Sequence, residues 1–143
     1  MSPLNKDFIP YEEALALKEL RFDEACSTFY KLGDSELYYD TILQSQKVKF
    51  RNNTELNAYG DLKEKISAPS YQQAFRFLRE KAGLEGVVQR CKDFPHYKFQ
   101  VNMYLPHIKT YLYAEVEFNS YEAAQLACLK HMLKRMSNFT KKK

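Results

Sequence analysis

The chain has 143 residues, and its 45% hydrophobic and 28% charged content is ordinary for a soluble globular protein of one domain, while its aromatic share is high, with 11 Tyr, 10 Phe and no Trp. Its formal charge of +4 is not spread evenly: Lys130, Lys134, Arg135, Lys141, Lys142 and Lys143 meet no acid, leaving 16 basic against 18 acidic residues in 1–129. That balance excludes a basic body built to wrap nucleic acid, and leaves the end of the chain as the place for contact with an acidic partner.

The three cysteines, Cys26, Cys91 and Cys128, are far apart and odd in number, which reads as reduced thiols and not as a disulfide framework. The first residues carry no apolar signal region, and no stretch approaches the ~20 apolar residues of a membrane span. The expectation is a cytoplasmic protein without a membrane segment.

In chain order, Pro10 suits the first position of a helix over Tyr11–Leu20, where Glu12 and Glu13 lie early and leucine and alanine occupy much of the circumference. Cys26–Leu32 and Ser35–Leu43 read as a hairpin about Gly33-Asp34, which opposes Lys31 to Glu36 and Phe29 to Tyr38. Val48 and Phe50 alternate with Lys47, Lys49 and Arg51 as a third strand ending at Asn52-Asn53. Residues 54–66 read as a loop entering a short strand before Pro69. Ser70 and Gln73 form a capping box for a second helix, with an apolar stripe of Tyr71, Ala74, Phe75, Leu78 and Ala82 and a stop at Gly83. Residues 84–96 read as an irregular connection.

Tyr97–Phe118 carries the clearest pattern. Tyr97, Phe99, Val101, Met103 and Leu105 alternate with polar residues, and after Pro106–Lys109 so do Leu112, Ala114, Val116 and Phe118. Opposing Leu105 to Thr110 pairs Met103 with Leu112, Val101 with Ala114 and Phe99 with Val116 on the core face, and sets Lys98 against Glu117 outside. Asn119 and Glu122 offer a cap for a last helix with a buried stripe of Leu126, Leu129, Leu133 and Met136. The expected fold is therefore α+β: one domain over 1–136, an antiparallel sheet of four to five strands with about three helices on one face, in the order α-β-β-(β)-α-β-β-α. Residues 137–143 are expected as a basic, flexible tail.

Three blocks carry a resemblance. Phe8-Ile9-Pro10-Tyr11-Glu12-Glu13-Ala14-Leu15-Ala16-Leu17-Lys18-Glu19-Leu20, then Ala68-Pro69 with Gln73-Ala74-Phe75-Arg76-Phe77-Leu78-Arg79-Glu80-Lys81, then Tyr121-Glu122-Ala123-Ala124-Gln125-Leu126-Ala127-Cys128-Leu129 resemble, in matching order, small proteins of Bacteroidota genomes, phages and mobile elements. Arg21 stands where such proteins usually carry a small residue, and Ala25 where they often carry proline. The resemblance implies a phage or mobile-element context and supplies no catalytic residue.

Metal ligands would have to come from His96, His107, His131 and the cysteines. His96 and His107 sit at opposite ends of a strand, roughly 30 Å apart at ~3.3 Å per residue, whereas a zinc ion holds its ligands at ~2 Å. His131 and Cys128 share a helix at a spacing of three, but a pair is not a site, and Cys128 reads as a small apolar group. No nucleophile elbow, Cys–His spacing or Gly-rich phosphate loop occurs. Glu115 and Glu117 share one strand face, and Lys98 gives Glu117 an ordinary partner. No catalytic residue, metal or cofactor is implied.

Tyr104, Tyr111 and Tyr113 cluster on the sheet face away from the core. Tyrosines so placed anchor protein partners, stack nucleobases, or simply pack across strands. Lys134, Arg135, Lys141, Lys142 and Lys143 are the phosphate-contacting candidates. The end of the chain also slightly resembles the last strand and helix of a double-stranded-RNA-binding domain, although Glu122 stands where that domain opens its helix with basic residues. The expected function is a non-enzymatic interaction protein that binds a protein partner through the tyrosine-rich sheet surface or edge. The alternative is nucleic-acid binding through the basic end and the tyrosines.

Overall fold

The structure is a computed structural model and describes residues 6–39, 52–57, 64–91, 96–105, 108–113 and 117–141. Its elements run α1 (Tyr11–Glu19), β1 (Thr28–Lys31), β2 (Asp34–Tyr39), α2 (Asn53–Leu56), β3 (Lys65–Ser67), α3 (Tyr71–Ala82), β4 (Leu84–Arg90), β5 (Tyr97–Leu105), β6 (Ile108–Tyr113) and α4 (Tyr121–Lys141). The class is α+β with antiparallel pairing, as expected. The single sheet of four to five strands is corrected: among the described residues the strands form two three-stranded sheets, ordered β2-β1-β3 and β4-β5-β6. Contacts divide the chain into two compact units, 1–71 and 72–143. Alternation specifies that a strand has two unlike faces, but it does not name the strand's partner, and here each strand closes with neighbours inside its own unit.

In the first unit, Pro10 precedes α1 and accepts the Ala14 N–H at 2.9 Å, while Ala14 and Leu17 are fully buried. The helix ends in a Schellman motif. Arg21 N–H donates to Lys18 O at 3.0 Å, Phe22 N–H donates to Leu17 O at 3.0 Å, and Arg21 has a φ of +66°. A left-handed backbone brings Cβ against the next carbonyl, a strain that glycine escapes. Arg21→Gly is therefore expected to stabilise the fold by about 0.5–1 kcal/mol, even after losing a small helix-dipole contribution from the exposed guanidinium. Denaturant melts of the two proteins check this, and a loss of stability would show that the arginine side chain supports the fold.

The first hairpin keeps the expected Phe29–Tyr38 pair but opposes Lys31 to Asp34 instead of Glu36, with an irregularity between Phe29 and Lys31. Gly33, at φ +84°, supplies the positive dihedral of the turn. Phe29 stacks on Tyr38 with ring centroids 5.7 Å apart, and Lys31 Nζ lies 4.8 Å above the Tyr38 ring. The expected strand around Val48 and Phe50 lies outside the described residues. Asn53 and Asn57, expected in a strand end and a loop, belong instead to α2 and the residue after it.

Those asparagines close the outer edge of β3. Asn57 Oδ1 accepts the Lys65 N–H at 2.8 Å while its Nδ2 donates to Lys65 O at 2.9 Å, reproducing with a side-chain amide what a neighbouring strand would offer. Asn53 Oδ1 accepts the Ser67 N–H at 2.7 Å, and its Nδ2 donates to Phe22 O at 2.8 Å. Both Asp23 carboxylate oxygens accept from Thr54, one from its N–H and one from its hydroxyl, which fixes the start of α2. An edge covered in this way offers no free ladder to another chain.

Ser70 immediately precedes α3, whose residues from Gln72 on belong to the second unit; Gly83 at φ +66° ends the helix, and Ala74, Phe77 and Leu78 are buried. Phe77 replaces the half-buried Phe75 of the expected stripe. The segment expected as an irregular connection contains β4, which pairs along its whole length with β5, from Leu84–Met103 to Arg90–Tyr97. Gly86 hid this strand because glycine weakens a strand pattern. Its role is spatial: a Cβ there would lie 2.7 Å from Cys128 Sγ and 2.8 Å from Met132 Cε on α4.

The β5–β6 register is corrected by two residues, with Leu105 opposite Ile108, Met103 opposite Thr110 and Val101 opposite Leu112. Only residues 106–107 separate the paired ends, so Ile108 joins Leu105 as an apolar cross-strand pair. A slip of two leaves every residue on its expected face. The expected register reappears at the isolated Tyr97–Phe118 bridge, and Ala114, Glu115 and Val116 lie outside the described residues.

The cap of α4 is Ser120, whose Oγ accepts the Ala123 N–H at 3.1 Å, and not Asn119. Its buried positions are Ala124, Cys128, Leu129, Met132 and Leu133, while Leu126 and Met136 are half-buried. The segment expected as a flexible tail continues the helix to Lys141, because no Gly or Pro interrupts it. Lys134 and Arg135 thus lie well inside α4 and not at its negative end. Among the described residues no helix is long and apolar enough to cross a membrane.

Candidate functional site

The second sheet has two unlike faces, and its register decides which residues occupy each. Leu84, Gly86 and Val88 of β4 lie across from Met103, Val101 and Phe99 of β5, and α4 packs on that side through Cys128 and Met132. Phe99 and Val101 are buried there, Phe99 stacks with Phe118 at 6.1 Å, and Tyr97 meets Tyr121 edge-on at 5.9 Å. The His131 ring sits 5.7 Å from Phe99, and burial with the nearby Arg135 and Lys134 charges holds its imidazole below the usual histidine range.

The other face is built in rows across three strands. Glu85, Asn102 and Tyr111 make one row, Val87, Gln100 and Tyr113 the next, and Gln89 with Lys98 a third, while Tyr104 and Lys109 pair beyond them. All three candidate tyrosines therefore hold register positions on the face away from α4. Val87 is half-buried in the middle of this face, and Gln89 and Lys98 are exposed. A β4 contribution was not legible while residues 84–96 read as irregular.

The basic candidates lie elsewhere. Lys134 is exposed and Arg135 half-buried on α4, the helix that covers the opposite face of the same sheet. Lys141 is the last residue of α4, and Lys142 and Lys143 are outside the described residues. Among the described residues, Lys134 and Arg135 thus belong to the helix that covers the sheet face opposite the register positions of the tyrosines.

Among the described residues, no three His, Cys, Asp or Glu side chains gather where one metal ion would reach them. His107 and Glu115 are outside the described residues, and Glu117 is exposed. One pairing escaped the sequence. Cys91 N–H donates to His96 O at 2.9 Å, so these residues face each other at the end of the β4–β5 hairpin. Sequence spacing carried no signal of this because it depends on β4. Two residues do not complete a metal or catalytic constellation.

The thiols divide sharply. Burial pushes Cys128 up to about 12, and burial followed by the Glu24 charge pushes Cys26 up to about 12, so both are inert thiols at neutral pH. Cys91 is half-buried. Labelling with a thiol-reactive disulfide is expected to modify Cys91 alone in the native protein and all three cysteines in denaturant. Fast native modification of Cys91→Ser would contradict the burial of the other two.

No protein-family model, curated protein or solved structure matches this chain.

Proposed function

We propose that this chain is a non-enzymatic interaction protein that acts inside the cell and binds a protein partner through the tyrosine-bearing face of its second sheet or the edge beside it. The observation that carries this reading is the set of rows on the face away from α4, where Tyr104, Tyr111 and Tyr113 share one surface with the half-buried Val87. Tyrosine supplies large contact area at low entropic cost and is enriched among interface anchors. The edge of β3 is already closed by Asn53 and Asn57, so strand addition in the first unit is disfavoured there. The resemblance of the three sequence blocks supports a phage or mobile-element setting.

Nucleic-acid binding is the second reading, favoured by the run of basic residues after Lys130. It is weakened by the place of Lys134 and Arg135 on the helix that covers the other face of the sheet, and by Glu85 among the face rows. The discriminating experiment is a titration of full-length chain, a Ser137–Lys143 deletion, Tyr111→Ala and Tyr113→Ala against oligonucleotides and against a recovered partner, at two salt concentrations. Under the leading reading each tyrosine variant costs roughly 1–2 kcal/mol of partner affinity and the deletion little. Under the second, losing three lysines lowers the salt slope by about 2 to 3. Unchanged partner affinity in both tyrosine variants removes this face from the account.

A further inference from the structure

We infer that the first unit holds a binding site for a single carboxylate group, with Arg21 as the residue that receives it. Beside the end of α1 the surface sinks into an open depression of about 730 Å³, walled by α1, α2 and Glu64. That is within the size range of small-ligand sites. Most polar groups of its wall are committed. Lys18 Nζ is ion-paired with Glu64 and also reaches Lys65 O at 3.3 Å. Both Asp23 oxygens accept from Thr54, and the Asn53 and Asn57 amides hold β3 and the chain beside it.

Arg21 is the exception. It is exposed, and its guanidinium has no hydrogen-bond or ion-pair partner among the described residues. It also occupies the left-handed position of the Schellman motif, at φ +66°, where glycine carries no strain. A residue that breaks a local rule without repaying the fold points to its side chain as the reason. Five N–H donors in a planar fork match a carboxylate in bidentate fashion. Asp23 and Glu64 in the same wall select for charge: they tolerate one negative charge on a ligand and repel a phosphate dianion. A free metabolite and an acidic side chain of a peptide offer the same group.

The test follows the Arg21 Nε–Hε signal by NMR in the whole chain, at matched ionic strength. The probes are acetate, a blocked peptide with one glutamate, inorganic phosphate and chloride. Acetate or the peptide is expected to give saturable shifts at millimolar concentration that extend to the Thr54 and Asn57 signals. Peptide binding at least tenfold tighter than acetate identifies a peptide source, and equal affinity a small molecule. Arg21→Lys, which keeps the charge and loses the fork, should weaken binding at least fivefold. Arg21→Gly, which the backbone favours, should fold and abolish the saturable shifts of Thr54 and Asn57. Tighter binding of phosphate than of either carboxylate, no saturation in the parent, or unchanged saturation in Arg21→Gly overturns the assignment.

Discussion

Val101→Asp is expected to leave the second unit without a stable fold. Val101 is fully buried, lies between Gly86 of β4 and Leu112 of β6, and belongs to the face that α4 covers. A carboxylate there loses its hydration, and apolar neighbours replace water around it. It either stays charged at a cost of several kcal/mol or takes up a proton with a strongly raised pKa. Against a typical domain stability of about 5–15 kcal/mol, that cost removes most of the margin. Gln100→Asp, one residue away on the opposite face and only half-buried, should be mild by comparison. Circular dichroism melts of both variants check the pair, and equal melting temperatures for Val101→Asp and the parent would mean that the two faces are inverted.

Asn53→Leu is expected to cost about 2–5 kcal/mol, more than any other substitution of a polar side chain proposed for this chain. Asn53 is 7% exposed and satisfies the Ser67 N–H and the Phe22 carbonyl at the same time. Leucine has nearly the same volume but no polar atoms, so it strands a buried donor and a buried acceptor, each worth about 1–3 kcal/mol when unmade. Asn57→Ala provides the contrast. Its partners on Lys65 lie in an exposed setting where water replaces them, so a cost below about 1 kcal/mol is expected. Urea melts of both variants measure the difference. A cost for Asn53→Leu no greater than that for Asn57→Ala would show that the β3 edge is not held from α2.

Some features were legible in the sequence because a single residue pattern decides them. The alternation from Tyr97 to Leu105 fixes two faces whatever the partner, which is why a register error of two left the tyrosines and Val101 on their proper sides. Pro10, Ser70 and Gly83 mark helix ends through their own backbone chemistry. Other features depend on groups distant in sequence. Gly86 reads as a strand breaker until Cys128 and Met132 press against it, and so β4 and the Cys91–His96 pairing were missed. Asn53 reads as the end of a strand because nothing local reveals that its amide serves Ser67 and Phe22. The extension of α4 to Lys141 was legible in principle, since residues 122–141 contain no Gly or Pro.

The tyrosine face could be outlined from the sequence, but its third strand could not. The rows Glu85–Asn102–Tyr111 and Val87–Gln100–Tyr113 widen a two-stranded patch into a three-stranded surface. Lys134 and Arg135 belong to the helix packed on the other face.

The most direct test is a side-by-side capture from nuclease-treated host lysate with the parent chain and with Tyr111→Ala/Tyr113→Ala, after both are shown to melt alike. Specific partners are quantified, and their affinities are then measured with purified protein. A partner that survives nuclease, binds the purified parent and loses at least tenfold in affinity to the double variant is the expected result. A partner held equally by both proteins, or the loss of every partner on nuclease treatment, would contradict it.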